Sequence, residues 1–159
     1  MSLSPARAQS LIASFKDYRI AVIGDVMLDR YIWGSASRIS QEAPVPVVAV
    51  DRETSAPGGA ANVMHNLAAL GARALAFGVV GADLAGATLT DELAALGVDT
   101  GGIVVEESRP TTQKTRLIAA GQQVARIDRE VSTDIADASR DRLLDAMRSA
   151  ISSEGVSAI

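Results

Sequence analysis

Cysteine is absent from the 159 residues, which excludes disulfides, thiolate zinc sites and a cysteine nucleophile and fits a reducing compartment. Histidine is scarce too. The single His65 lies in a helical pattern with no partner visible in sequence, so a structural or exposed role is read for it rather than catalysis. Neither sign of charge forms a long run: 15 Lys and Arg against 19 Asp and Glu leave a net charge of -4, with a pI near 4.9. That is not the electrostatic footprint of a nucleic-acid binder. Long apolar runs are missing as well. The early "LIASF", 11–15, sits between Arg7 and Lys16 and is too short for a signal segment or a membrane span. The chain is therefore read as cytoplasmic, with neither nucleic acid nor membrane as partner. Two phosphate-binding loops are also lacking: there is no GxxxxGK followed by Ser or Thr, and no GxGxxG after the first strand pattern.

What is there is enough for a core, since 48% of the residues are hydrophobic and the mean hydropathy is +0.19. Residues 4–16 suit a short amphipathic helix, and "RIAVIG", 19–24, is a continuous apolar run ended by glycine, as in a strand buried on both faces. "RYIWGS" and "VPVVAVDRE" read as strands separated by a loop, "SASRISQEAP". A helix over 60–70 places Val63, Met64, Leu67 and Leu70 on one stripe, and "ALAFGVVG" returns as a strand. The next helix, 84–96, stops at Gly97. After "GGIVV" comes "KTRLIAAGQQVARID", a hairpin pattern, then a helix over 134–151 carrying Leu144, Met147 and Ile151. This order predicts an α/β fold, a mostly parallel sheet flanked by helices, with a small separate β layer. "GVSAI", 155–159, reads as the start of another buried strand. The expectation is that the chain is the first part of a larger fold.

Two segments offer ligand chemistry. Asp25 and Asp29, in "GDVMLDRY", fall just past the first strand, where open α/β sheets bind ligands. A carboxylate there can accept hydrogen bonds from paired hydroxyls, or it can simply cap a turn. In "PGGAANV", 57–63, Gly58 and Gly59 precede a helix start, so backbone N–H groups can face a ligand with no Cβ in the way. Asn62 adds an amide donor and acceptor in the first turn. Taken alone, the glycines equally fit a turn that lets helix and sheet pack closely.

Gly58, Gly59, Ala60, Asn62, Gly71 and Gly81 fall into the spacing of a known signature, and the chain resembles the PfkB or ribokinase-like carbohydrate kinases. Met64 departs from the Ser, Thr or Ala usual there. Within that family, "GDVMLDRYIWGSASRISQEAPVPVV", "PGGAANV" and "TTQKTRLIAAGQQVARID" are similar to the kinases of D-glycero-β-D-manno-heptose 7-phosphate, often fused to an adenylyltransferase in a bifunctional enzyme of lipopolysaccharide synthesis. The likeness spans about residues 19–130.

The resemblance implies that Asp29, Gly58, Gly59 and Asn62 bind the sugar, and that segments near 30–52 and 113–129 form a β lid that closes over it and joins a homodimer. It further implies that the complete enzyme uses ATP with Mg2+ to phosphorylate a sugar hydroxyl. The family's catalytic aspartate and anion hole lie in a late GAGD-like motif. That motif is absent from this sequence, so no catalytic, ATP-binding or metal residue is assigned within the chain.

Given a phosphorylated sugar, Lys114 and Arg116 are candidates for its phosphate: two apart on a strand, they share a face. Arg116 would use its bidentate fork and Lys114 a point charge. A solvated face paired with nearby acids explains the same pair equally well. Arg38, in the loop between the first lid strands, is a third candidate. Tyr31 and Trp33 alternate on a lid strand and are read as a dimer interface rather than a stacking platform for the sugar. Other sugar or nucleoside kinases of the family, acting on fructose phosphate, ribose or adenosine, remain alternatives. So does a sugar-binding or oligomerisation module without catalysis.

Overall fold

The computed structural model describes residues 3–153 and 155–159. A short helix, α1 (Pro5–Ala13), with Ser4 capping its start, leads through a single 3-10 turn, Phe15–Asp17, into β1 (Arg19–Ile23). The chain then leaves the core for a long hairpin, β2 (Val26–Ile39) and β3 (Pro46–Gly59), and returns through α2 (Ala60–Ala69) to β4 (Arg73–Gly81). After α3 (Leu84–Ala95) and β5 (Asp99–Glu106) it leaves a second time as β6 (Gln113–Ala119) and β7 (Gln122–Arg129), and α4 (Asp137–Ser153) brings it back.

Two sheets result. The core sheet has the order β1-β4-β5, all parallel. Along the outer edge of β1, the Ala21 N–H donates to the Ala158 carbonyl at 3.0 Å and the Ser157 N–H to that of Arg19 at 2.8 Å, an isolated parallel bridge. The second sheet has the order β3-β2-β6-β7, with β2 and β6 parallel and the outer pairs antiparallel. The α/β architecture read from the sequence, a parallel sheet plus a small separate β layer, is the one observed.

Both faces of the core sheet are covered, which is why its strands read as unbroken apolar runs. One side packs Ala74, Ala76 and Val80 against Ala61 and Met64 of α2 and Leu89 and Leu93 of α3. The other packs Ala21, Leu75, Phe77 and Val104 against Leu143 and Ala150 of α4.

Three readings need correction. The loop expected at 35–44 is mostly strand: β2 runs to Ile39, and only 40–45 turn the hairpin. The sequence concealed this because the ribbon is held by backbone pairing, with both faces of β2 exposed beyond Gly34, and hydrophobic alternation records only burial. Arg38 is thus a β2 residue opposite Val47, not a loop residue. The apolar stripes of α2 and α4 hold only in part. Met64 is buried and Leu67 and Met147 pack against the core as expected, but Val63, Leu70, Leu144 and Ile151 are exposed, and Ala61, Leu143 and Ala150 face inward instead. Alanine at a close helix–sheet contact carries little hydrophobic signal, so the larger neighbours misplace the stripe.

Candidate functional site

The site lies where the second sheet joins the core. β1 ends at Ile23, Gly24 and Asp25 cross over, and β2 departs with Val26 and Leu28 buried in the core and Met27 and Asp29 on its opposite face. β3 returns antiparallel, so Gly58 pairs with Met27 and Gly59 with Val26. A Cβ at Gly58 would stand 2.7 Å from Asp29 Oδ2 and 2.9 Å from Met27 Cγ. Gly59 adopts φ +55° and ψ -130°, a combination open essentially to glycine alone, and a Cβ there would run into the Asp25 carbonyl. What comes close to the glycine pair is therefore, in part, the chain itself.

Gly59 is also the N-cap of α2 and brings no side chain, so no side chain caps that helix. The Ala60 N–H donates to the Asp25 carbonyl at 2.9 Å. Asn62 stands exposed in the first turn of α2, its Oδ1 3.3 Å from Asn66 Nδ2. Asp29, Gly58, Gly59 and the start of α2 thus share one corner, with uncapped helix amides beside a carboxylate.

β6 supplies the cations. Its parallel register places Lys114 opposite Asp29 and Arg116 opposite Tyr31, so all four share one face while Thr115 is buried on the other. Arg116 Nη1 donates to Asp29 Oδ1 at 2.7 Å. This is the one hydrogen bond to the Asp29 carboxylate among the described residues, and the guanidinium also lies 5.3 Å from the Tyr31 ring centroid. The bond to Asp29 raises the Arg116 pKa above its ordinary value, against the opposing effect of burial. Tyr31 and Trp33 stack at 6.2 Å between centroids, with Arg52 4.6 Å over Trp33. Lys114 has no hydrogen bond or ion pair among the described residues. It lines a cavity of about 700 Å3 at the carboxyl ends of β1 and β4, with Gly24, Asp25, Met27, Gly78 and Thr112.

Arg38 does not join this cluster. It lies nine residues beyond Asp29 along β2, roughly 30 Å at the rise of an extended strand, and is exposed. His65 is half-buried on α2.

Sequence reasoning missed two polar braces, one at the start of α3 and one at the end of β5. Asp83, the N-cap of α3, accepts from the Gly86 N–H (2.9 Å), the Thr111 N–H (3.0 Å) and the Thr111 hydroxyl (2.6 Å), while the Gly81 N–H donates to Thr111 Oγ1 at 2.9 Å. Burial disfavours the Asp83 carboxylate. The bonds from Thr111 and Gly86, with the charge of Arg129, outweigh it and hold the pKa below its ordinary value. The second brace is Glu106 at the end of β5. It takes hydrogen bonds from Ser139, the Ala136 N–H (3.1 Å) and Ser108 (3.1 Å), and its pKa is lowered chiefly by the Ser139 bond. Arg109 completes it: Nη2 donates to the carbonyls of Val131 (2.9 Å) and Thr133 (3.1 Å), and the buried Nη1, 4.0 Å from Glu106 Oε1, has no hydrogen-bond partner among the described residues. An aspartate just before a helical pattern was a readable N-cap signal. Nothing marked its distant partner Thr111.

No group of three or more His, Asp or Glu side chains among the described residues is placed to hold a metal ion. No helix among them is long and apolar enough to cross a membrane.

A family model described as pfkB family carbohydrate kinase matches residues 17–157. Among curated proteins, the Bifunctional protein HldE of Wolinella succinogenes is 51% identical over 133 residues, covering 84% of this chain and 28% of that protein. The Bifunctional protein HldE of Helicobacter hepaticus is 55% identical over 120 residues, covering 76% of this chain and 25% of that protein. The chain thus spans just over a quarter of the length of these relatives. Among solved structures, a putative sugar kinase from Clostridium perfringens aligns with TM-score 0.61 at 19% identity, over 82% of this chain and 40% of that one, a likeness of fold.

Proposed function

The chain belongs to the pfkB family of carbohydrate kinases, and from that premise we propose that it is the sugar-binding part of a kinase whose substrate is a phosphorylated sugar, D-glycero-β-D-manno-heptose 7-phosphate. The reaction is transfer of the ATP γ-phosphoryl group to a sugar hydroxyl, giving the 1,7-bisphosphate. The observation that carries this reading is one surface that pairs a carboxylate, Asp29, with two cations, Lys114 and Arg116, one of them bonded to it. The identity of the chain to proteins named HldE supports heptose as the sugar.

Asp29 accepts hydrogen bonds from two sugar hydroxyls. Gly58 and Gly59 let the ring approach the backbone, and the α2 amides and Asn62 complete the contact. Lys114 and Arg116 take the substrate's phosphate, and the β3-β2-β6-β7 sheet is the lid. The Tyr31, Trp33 and Arg52 surface of that lid supports a homodimer contact. ATP and Mg2+ supply the phosphoryl group and its charge neutralisation. The residues that hold them are not among these 159, which contain no GAGD-like segment, so the share of this chain in the reaction is to bind and orient the sugar. The isolated chain is accordingly proposed to be inactive alone, and the whole protein to be cytoplasmic.

The test is ATP-dependent phosphorylation by the full-length protein, offered heptose 7-phosphate, fructose 6-phosphate, ribose and adenosine. Preferred turnover of heptose 7-phosphate is expected. Preferred turnover of a sugar or nucleoside without a phosphate would overturn the reading, and turnover of none would favour a non-catalytic sugar-binding module.

A further inference from the structure

The Asp29–Arg116 pair poses a physical difficulty for a hydroxyl-binding carboxylate. Oδ1 is already taken by a charge-assisted bond of 2.7 Å, and Oδ2 packs against the Gly58 backbone, 2.7 Å from where a Cβ would lie. The side chains keep only 19% and 27% of their exposure. A sugar approaching Asp29 must compete with the guanidinium for at least one oxygen, and breaking such a bond without a substitute is costly. The stem of Arg116 is anchored opposite Tyr31, two residues further along the sheet than Asp29, or roughly 7 Å at the rise of a strand. Its guanidinium already lies against the Tyr31 ring, an aromatic surface on which it can rest when detached from Asp29. Lys114, directly beside Asp29 and without a partner among the described residues, is a second cation for an anion arriving there.

Resting on the functional reading just given, we propose that the Asp29–Arg116 ion pair is a latch released by the substrate's own phosphate. A phosphate monoester exchanges with Asp29 as the partner of Arg116, drawing the guanidinium along the sheet toward Tyr31 with Lys114 as co-ligand. Both oxygens of Asp29 then become available to hydroxyls. A sugar without a phosphate must break the ion pair with nothing to replace it, so the pair selects against such sugars as well as for phosphorylated ones. Phosphate and hydroxyl binding are coupled, and the coupling is reciprocal. Arg116 is a specificity-determining residue acting partly through Asp29.

The experiment uses the full-length protein without nucleotide, and calorimetric titration of heptose 7-phosphate, of the same heptose lacking its phosphate, and of that heptose in the presence of saturating inorganic phosphate. In the wild type, inorganic phosphate is expected to tighten binding of the unphosphorylated heptose about tenfold. In Arg116→Gln that enhancement disappears, the unphosphorylated heptose binds several-fold tighter than it does to the wild type, and heptose 7-phosphate binds at least tenfold weaker. Arg116→Lys, which keeps the charge without the fork, is expected to fall between the two.

Equal weakening of both sugars in Arg116→Gln would overturn the latch, because Arg116 would then only hold Asp29 in place. Enhancement by phosphate that persists in Arg116→Gln would overturn it too. Should wild-type protein bind neither form of heptose, the functional reading has failed instead. A distinct failure of the latch is tight wild-type binding of heptose 7-phosphate with no enhancement by inorganic phosphate.

Discussion

Asp29 and Arg116 stand 87 residues apart in sequence, yet Nη1 of one lies 2.7 Å from Oδ1 of the other. They meet because the chain leaves the core twice on the same side, and its second excursion, β6, lies parallel to its first, β2, with Lys114 opposite Asp29. A carboxylate and two cations are thereby gathered on one face of a sheet that is separate from the parallel core.

Asp29→Asn in the full-length protein should weaken sugar binding while leaving ATP binding nearly unchanged. A hydrogen bond to a charged group contributes about 1.5–3 kcal/mol, so a loss of one to two orders of magnitude in sugar affinity is expected by calorimetry. Wild-type affinity in the variant would remove Asp29 from the site.

The two glycines should fail differently. Gly58→Ala puts a Cβ against the Asp29 carboxylate and the Met27 side chain, groups able to shift, so sugar affinity should fall more than thermal stability. Gly59→Ala forces alanine into φ +55° against the fixed Asp25 carbonyl. Strain of this kind costs about 1–3 kcal/mol, and a clear drop in melting temperature is expected. Calorimetric melting and sugar titration of both variants separate the cases, and equal stability of the two would contradict the assignment.

Acid should loosen the two carboxylate braces. Asp83 and Glu106 are both held below their ordinary values of 3.8 and 4.5. Their stabilisation is therefore present above those values and is lost as pH falls through the lower folded-state values. Melting temperature should decline steeply below about pH 4.5 on this account, and Asp83→Asn should flatten that decline. Thr111→Val, which removes a hydroxyl bonded to both Asp83 and the Gly81 N–H, should cost about 1–3 kcal/mol at neutral pH. An unchanged acid limb in Asp83→Asn would show that this carboxylate does not govern it.

Lys114 and Arg38 should part company. Lys114→Gln should raise the KM for a phosphorylated sugar, whereas Arg38→Gln, on the exposed ribbon opposite Val47, should leave it within a factor of two. A large effect at Arg38 would mean that the ribbon reaches a site in some other way, such as across a dimer.

Phosphoryl transfer depends on placing metal, anion hole and base around the transferred group, and the GAGD-like segment expected to carry the anion hole and base is not in this sequence. Purified 1–159 should therefore show no ATP-dependent sugar phosphorylation where the full-length protein does. Sustained turnover by 1–159 would refute this.

The sequence alone determined the alternation of strands and helices, because burial on both faces writes β1 and β4 as unbroken apolar runs and Gly97 marks the end of α3. It also determined Asp29, Gly58, Gly59 and Asn62 as candidates, since their spacing is local and matches a family signature. Local spacing further put Lys114 and Arg116 on one face.

The tertiary structure alone decided which partner each candidate meets. Strand register across 87 residues is set by how two excursions dock on one another, so no periodicity could foretell that Arg116 bonds Asp29. The same holds for Asp83 with Thr111, and for Glu106 at the start of α4. The exposed end of β2, 35–39, escaped for the opposite reason. Backbone hydrogen bonds hold it together, and those bonds are common to every residue but proline, so they leave no trace in the choice of side chains.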